Sequence, residues 1–228
     1  MSGTFWISTG VAVVLMLVAA LLFPEQITRE APLDLEPSGP VASEDGAVVE
    51  APDEELSRPI EPAPVLPVAI DGVVFAGEYP HRTEAGGFQV HWKSDMNTLR
   101  VGLVSPGTGY VAIGFDPEYR MKGANFIIAA VHDGGLAIRD DYGDGSVSHT
   151  ADTLLGGTDD ILEAAGREEN GRTTVEFVIP LRTRDENDKT LVPGETYRIL
   201  IAYHHSSDSF AVRHSRRGSG TLRLDASP

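Results

Sequence analysis

The segment from residue 68 to the C-terminus consists of short apolar runs separated by Gly, Asp, Asn and Pro, and no run has the period of an amphipathic helix. This pattern predicts strands rather than helices. Their number and spacing predict an all-β fold, an immunoglobulin-like antiparallel β-sandwich. The predicted strands are Gly72–Ala76, Phe88–Lys93, Leu99–Ser105, Tyr110–Phe115, Asn125–Val131, Leu136–Asp140, Ile161–Gly166, Thr173–Pro180, Thr196–His204, Phe210–Arg213 and Thr221–Leu224.

Two of these strands differ in how their apolar residues are spaced. Val175, Phe177 and Ile179 alternate with other residues, so they point to one face of a sheet. By contrast, the run from Ile199 to Ala202 is continuously apolar. The second strand is therefore predicted to be central, where the two layers meet.

The first third of the chain predicts a membrane anchor followed by a linker. The run from Phe5 to Phe23 contains no charged residue and is long enough to cross the hydrocarbon core, and no Lys or Arg precedes it. Residues 24–67 are rich in Pro, Glu and Asp, which predicts a disordered tether. The predicted organisation is an anchor or signal segment at 1–23, a linker at 24–67 and a sandwich at 68–228. We expect a single-pass membrane protein with its domain on the extracytoplasmic side, or a secreted domain if the segment is cleaved.

Composition and missing motifs exclude several classes of function. The chain has no Cys, which excludes disulfides, thiolate-bound metals and covalent haem attachment. A net charge of −16 argues against nucleic acid as a partner. The sequence contains no Gly-x-Ser-x-Gly or His-Glu-x-x-His motif and no phosphate-binding Gly-rich loop. The chain is therefore not predicted to be an enzyme.

One polar loop carries an unusual residue. Tyr110–Phe115 and Asn125–Val131 are joined by residues 116–123, which are polar except for Met121. A methionine in such a loop either fills a gap at the edge of the core or is held there as a soft metal ligand. Both interpretations remain open from the residues alone.

A second loop is rich in carboxylates. Residues 140–145 read Asp-Asp-Tyr-Gly-Asp-Gly, which has the acidic density of a calcium loop but lacks the EF-hand spacing with a distal Glu. Asp and Gly are also the residues that tight turns favour. Calcium binding and a solvated turn are the two interpretations of this segment.

Residues 68–226 contain a series of short motifs. They are Asp71–Val73, Gly77–Tyr79, Gly109–Phe115, Met121–Asn125, His132–Gly134, Arg139–Tyr142, Asp152, Glu176–Phe177, Leu181–Asp188, His214–Gly218 and Leu222. In this order the motifs resemble the DOMON domain family, the β-sandwich family that includes extracellular b-type cytochrome domains and the regulatory domain of dopamine β-hydroxylase. No single motif is specific, and the resemblance depends on their order.

The resemblance implies a choice among haem binding, sugar binding and protein interaction. In the haem-binding branch, a Met from the loop after the Gly-x-x-Ala-x-Gly strand and a His near the domain end hold the iron of a non-covalent haem b. Met121 and His214 occupy these places, and His204 and His205 are the alternative ligands. Met96 is the only other methionine of the domain. The apolar residues expected to line the cleft are Phe126, Ile128, Phe210 and Leu222.

The expected function is electron transfer to or from a redox protein partner, because Met and His together fill both axial positions of the iron. The rival is a haem-free module of the same fold that recognises a sugar, another small ligand or a surface protein. A third possibility is an adhesive surface protein. Trp92 is the only Trp of the domain, which disfavours an aromatic sugar platform.

Overall fold

The computed structural model describes residues 67–226, which form two β-sheets and one short 3-10 helix at Asp152–Leu154. The described residues contain no helix that is both long and apolar enough to cross a membrane. The strands are β1 (His81–Ala85), β2 (Phe88–Ser94), β3 (Thr98–Val104), β4 (Val111–Phe115), β5 (Asn125–His132), β6 (Gly135–Gly145), β7 (Ser148–Ala151), β8 (Glu163–Glu169), β9 (Arg172–Pro180), β10 (Thr196–Tyr203) and β11 (Arg216–Arg223).

The strand order confirms the predicted all-β antiparallel sandwich. One sheet has the order β1-β2-β3-β9-β8, and the other has the order β11-β10-β4-β5-β6-β7. All neighbouring strands pair antiparallel. The predicted membrane segment at residues 1–23 and all of the predicted linker at residues 24–67 except its last residue lie outside the described residues.

Two predicted strands are wrong. Gly72–Ala76 is not a strand, because its backbone N–H groups donate to the carboxylates of Glu176 and Glu78 instead of to a neighbouring strand. Phe210–Arg213 forms a turn in which the N–H of Val212 donates to the carbonyl of Ser209.

The remaining errors fall mainly on edge strands. β1 and β7 were not predicted, and β8 and β11 were predicted with wrong bounds; these four strands are the edges of the two sheets. An edge strand has fewer neighbours to pack against, so its sequence lacks the apolar run that reveals a central strand. The acidic segment at residues 140–145 is likewise the second half of β6 rather than a turn or loop.

The interior core lies between the sheets. It contains alternate side chains of β2, β3 and β9 from one sheet, and of β4, β5 and β10 from the other. Phe88, Phe115 and Phe177 are its largest fully buried side chains and are at most 1% exposed. Because successive side chains of a strand point to opposite faces, this core uses only half of the apolar residues of β4, β5 and β10.

The other half forms a second cluster, which we call the outer-face cluster, on the side of the six-stranded sheet away from the interior core. Met121 and Phe210, from two connecting segments, pack against it. The continuous apolar runs noted in the sequence are thus explained, because these strands are covered on both faces. The cluster consists of Tyr110, Ala112, Ala124, Phe126, Ile128 and Ala130, with Leu200 and Ala202 beside it.

The Glu176 carboxylate holds the segment before β1 against the five-stranded sheet. Its side chain is fully buried in the middle of β9 and accepts hydrogen bonds from the N–H groups of Asp71, Gly72 and Val73 at 2.8–3.1 Å. The Tyr79 hydroxyl donates to its other oxygen at 2.7 Å. Burial raises the pKa of Glu176, and burial together with the Glu176 bond raises the pKa of Tyr79. Four donors therefore depend on one side chain.

The Asp225 carboxylate closes one edge between the sheets. It accepts from the N–H of Ser94 at 2.9 Å and contacts the His81 ring at 2.6 Å, which joins the end of the chain to β1 and β2. Burial alone would raise the pKa of Asp225, but the hydrogen bonds from His81 and Ser94 outweigh burial and lower it. The ionised carboxylate is therefore the form that the fold stabilises.

We predict that Glu176→Ala destabilises the domain by about 3 kcal/mol or more, because it leaves four donors without an acceptor and opens a cavity. Glu176→Gln should cost much less, since an amide oxygen can accept the backbone bonds and the amide nitrogen can face the Tyr79 hydroxyl. Urea unfolding measures both, with Glu169→Ala, at the exposed end of β8, as the control. Equal losses for Glu176→Ala and the control would contradict this role.

We predict that the destabilisation caused by Asp225→Asn depends on pH. The folded-state pKa of Asp225 lies below the unfolded value of about 3.9, so its contribution is complete above that value and is lost as the pH falls through the folded pKa. The variant should lose about 1–2 kcal/mol at pH 7, and progressively less as the pH falls below about 3.9. Urea unfolding across this range tests the sign, with exposed Asp133→Asn as the control. A difference that does not change with pH would refute it.

Candidate functional site

A cavity of about 520 Å³ lies on the outer face of the six-stranded sheet, beside the outer-face cluster. Its apolar lining includes Ala112, Phe126, Leu200 and Ala202, which are outward-pointing residues of β4, β5 and β10. Met121 and His214 also line it. We call it the outer-face cavity, and its volume falls within the range of small-molecule sites.

Local backbone geometry places Met121 at this cavity. Arg120 has a φ of 53°, and the N–H of Met121 then donates to the Ser146 carbonyl at 3.4 Å. The Met121 carbonyl accepts from the N–H of Ala124 at 3.2 Å. A Cβ at Gly143 would lie 1.8 Å from the Met121 carbonyl oxygen, so only glycine lets β6 pass this close to the loop.

His214 approaches the cavity from the segment directly before β11. Its side chain is partly buried, and burial together with the nearby Arg217 and Arg213 lowers the pKa of its imidazole. A lowered pKa favours the neutral ring, which has a nitrogen lone pair that can bind a metal.

The alternative histidines lie elsewhere. The Nδ1 atom of His204 accepts from the N–H groups of Ser206 and Ser207 at 3.2 and 2.8 Å, which ties this ring into its own turn. His205 is exposed and stacks edge-on against Tyr203. Neither residue lines the outer-face cavity, and Met96 is 52% exposed. Of the residues predicted as iron ligands, only Met121 and His214 share a cavity.

The four residues predicted to line the cleft lie in three different places: the outer-face cavity, the outer-face cluster and the interior core. Phe126 lines the outer-face cavity, and Ile128 belongs to the cluster beside it. Phe210 packs against the same cluster and meets Tyr110 edge-on, with the Arg139 guanidinium above its ring. Leu222 is fully buried in the interior core, because it points to the inner face of β11. The cavity lies on the outer face of a sheet and not, as Leu222 would require, inside the sandwich.

Sequence reasoning missed the arginines that line the cavity, which are Arg120, Arg198, Arg213 and Arg217. A signal was present for two of them. Arg198 has the same alternation as Leu200 and Ala202 in β10, and Arg217 pairs directly with Ala202 across the sheet. No carboxylate lines this cavity, although the chain carries a net charge of −16. The site therefore combines an apolar floor with a cationic rim.

Trp92 does not form an exposed platform. It is 6% exposed, its ring stacks on His81 at 5.4 Å between centroids, and its Nε1–H donates to the Arg223 carbonyl at 2.8 Å. Among the described residues, the exposed large aromatic side chains are Phe75 and Tyr119. They belong to different segments, the one before β1 and the loop of Met121.

Comparison with known proteins finds curated relatives. DBH-like monooxygenase protein 1 of Homo sapiens is 31% identical over 152 residues, which cover 64% of this chain and 24% of that protein. The Mus musculus protein of the same name is 32% identical over 152 residues, which again cover 64% of this chain and 24% of that protein. The chain therefore spans about a quarter of the length of the curated relatives it matches.

Solved structures give weaker similarities. The cytochrome b domain of pyranose dehydrogenase from Coprinopsis cinerea has a TM-score of 0.48 and 9% identity, covering 62% of this chain and 80% of that one. The cytochrome domain of cellobiose dehydrogenase from Myriococcum thermophilum has a TM-score of 0.47 and 12% identity, covering 67% and 81%.

A family model gives the assignment. The model described as the DOMON domain matches residues 84–204, which run from β1 to the residue after β10. The match covers more than half of the chain and confirms the resemblance noted in the sequence. The chain belongs to the DOMON domain family.

Proposed function

We propose that this DOMON domain binds a non-covalent b-type haem in the outer-face cavity, with Met121 and His214 as axial ligands, and exchanges electrons with a redox protein partner. The observation that carries the proposal is that Met121 and His214 line one cavity although 92 residues lie between them in the chain. The loop after β4 and the segment before β11 are brought together only by the pairing of β4, β10 and β11.

The chemistry of the lining fits this cofactor. Haem is a flat, largely apolar group with two carboxylates, and the cavity offers Phe126, Leu200 and Ala202 beside four guanidinium groups. Guanidinium pairs with carboxylates through charge-assisted hydrogen bonds. A thioether and a neutral imidazole are both iron ligands in b-type and c-type cytochromes. The lowered pKa of His214 supports the neutral form that coordination needs.

The role of the chain's own residues is to bind, orient and exclude water. A b-type haem held by both Met121 and His214 would supply one-electron transfer and would leave no iron position open to a substrate. The outer-face cluster keeps one side of the site apolar, and Gly143 holds the Met121 loop close to the sheet. We therefore propose an electron-transfer domain rather than a catalyst, although its curated relatives are named monooxygenases.

The location of the domain is part of the proposal. Residues 5–23 would anchor the chain in the cell membrane, and residues 24–67 would hold the domain away from the bilayer on the extracytoplasmic side. Both segments lie outside the described residues and remain predictions from sequence. Cleavage after the apolar segment would give a secreted domain with the same site.

We predict that the full-length chain, reconstituted with haemin in mild detergent, gives the sharp reduced spectrum of a low-spin b-type cytochrome. Met121→Ala should convert the spectrum to high-spin, because one axial ligand is lost. Met96→Ala is the matched control and should leave it unchanged, since Met96 lies on an exposed turn. A parent spectrum without low-spin bands would leave the haem-free binding module as the function, and equal effects of the two variants would reject Met121.

We predict that His214→Ala also abolishes the low-spin spectrum, whereas His204→Ala and His205→Ala retain it. Addition of free imidazole should restore low-spin bands to the His214 variant, because the small ligand can occupy the position of the lost ring. Circular dichroism confirms that each variant remains folded. Loss of the bands in His204→Ala or His205→Ala, with His214→Ala unaffected, would move the second ligand to the turn after β10.

A further inference from the structure

Five aspartates from separate segments meet at one place, away from the outer-face cavity. Carboxylate oxygens of Asp140, Asp152 and Asp188 lie within 4.8 Å of one another, and those of Asp160, Asp185 and Asp188 do so as well. Asp140 belongs to β6, Asp152 opens the 3-10 helix, and Asp185 and Asp188 lie in the connection from β9 to β10. Asp188 is common to both groups, so the five residues form one cluster, which we call the aspartate cluster.

The inner part of the cluster is buried and lacks donors. Asp152 is 0% exposed and Asp140 is 3% exposed. Both carboxylate oxygens of Asp152 are buried without a hydrogen-bond partner, as are one oxygen each of Asp140 and Asp188. Asn125 donates its amide N–H to Asp188, while its own side-chain oxygen is also buried and unpartnered. Five buried side-chain oxygens of the cluster and of Asn125 thus lack a hydrogen-bond donor, which is rare in folded proteins.

No side-chain cation compensates these charges. None of the ion pairs among residues 67–226 involves a member of the aspartate cluster. The adjacent Asp141 shows the contrast, because it is equally buried but is held by Arg139 and by His149 at 2.6 Å. Lys189, next to Asp188 in the chain, pairs with Glu118 instead, at 3.4 Å.

Burial and mutual repulsion raise the pKa values of the inner aspartates. Burial, and then repulsion by Asp188, raises the pKa of Asp140 to about 8. Burial, and then repulsion by Asp185, raises the pKa of Asp152 to about 7. Ionised carboxylates in such a site destabilise the fold unless an opposite charge lies among them.

We propose that the aspartate cluster binds a calcium ion as a structural site. The atoms that would coordinate the ion are all carboxylate oxygens, which Ca²⁺ prefers, whereas zinc and copper favour nitrogen and sulfur. Asp160 and Asp185 line a cavity at the surface, which gives the ion and its waters a route from solvent. The bound ion joins β6, the 3-10 helix and the β9–β10 connection. This inference is independent of haem binding.

Thermal unfolding and calorimetry of the full-length chain, stripped with EDTA and then dialysed, test the site with CaCl₂ as the probe. We expect saturable binding of one ion and a rise in Tm of about 5 °C or more when free calcium exceeds Kd a hundredfold. MgCl₂ should give a smaller shift, because Mg²⁺ requires a stricter octahedral geometry. A chain that gives neither binding heat nor a Tm shift with calcium overturns the proposal.

Asp152→Asn should remove the calcium response, because it takes a charged ligand from the centre of the cluster without changing its size. In EDTA, this variant should be at least as stable as the parent, since a repulsive charge is gone. A merely structural role for Asp152 would instead lower stability in EDTA. Asp160→Asn, at the half-buried rim, should weaken calcium binding about tenfold or more and serves if Asp152→Asn does not fold.

Asp144→Asn is the matched control on the same strand as Asp140. Its carboxylate accepts from the hydroxyls of Ser148 and Thr150 at 2.5 and 2.7 Å and lies outside the cluster. We expect the parent calcium response in this variant. Loss of the response in Asp144→Asn, or its retention in both Asp152→Asn and Asp160→Asn, would place the ion elsewhere and refute the site.

Discussion

Both faces of the six-stranded sheet carry apolar side chains, and burying them requires a cover on each side. The five-stranded sheet covers the inner face, whereas connecting segments that include Met121 and Phe210 cover the outer one. Fully burying a large apolar side chain such as Phe126 or Ile128 contributes about 1.5–3 kcal/mol, so this burial stabilises the segments that cover them. Loops cover a flat surface less completely than a sheet does, and the outer-face cavity lies beside this cover.

Buried carboxylates are treated in two ways in this domain. Glu176 and Asp141 are surrounded by donors or cations from the protein, so their carboxylate oxygens make specific contacts. Asp140 and Asp152 have raised pKa values and buried oxygens without hydrogen-bond partners. Their contribution to the stability of the fold therefore depends on a bound cation. The first arrangement fixes the chain before β1, and the second marks a place where an external cation completes the structure.

Central strands were predictable, and edge strands were not. The predicted Tyr110–Phe115, Asn125–Val131 and Thr173–Pro180 coincide within one residue with β4, β5 and β9, because strands covered on both faces or along one whole face need a regular apolar pattern. β1 has the sequence His-Arg-Thr-Glu-Ala, with a single apolar residue, and is defined by its pairing with β2. Leu222 was assigned to the cleft because sequence does not tell which face of β11 it occupies, and the structure places it inside.

The sequence by itself determined the all-β class, the membership of the DOMON family and the polar loop from which Met121 stands out, because these depend on local pattern and motif order. Only the tertiary structure decided which histidine shares a cavity with Met121, that four arginines surround that cavity, and that Asp140, Asp152 and Asp188 converge. The reason is that convergence depends on the register and order of strands that are far apart in the chain. Local sequence carries the period of a strand but not the identity of its neighbour.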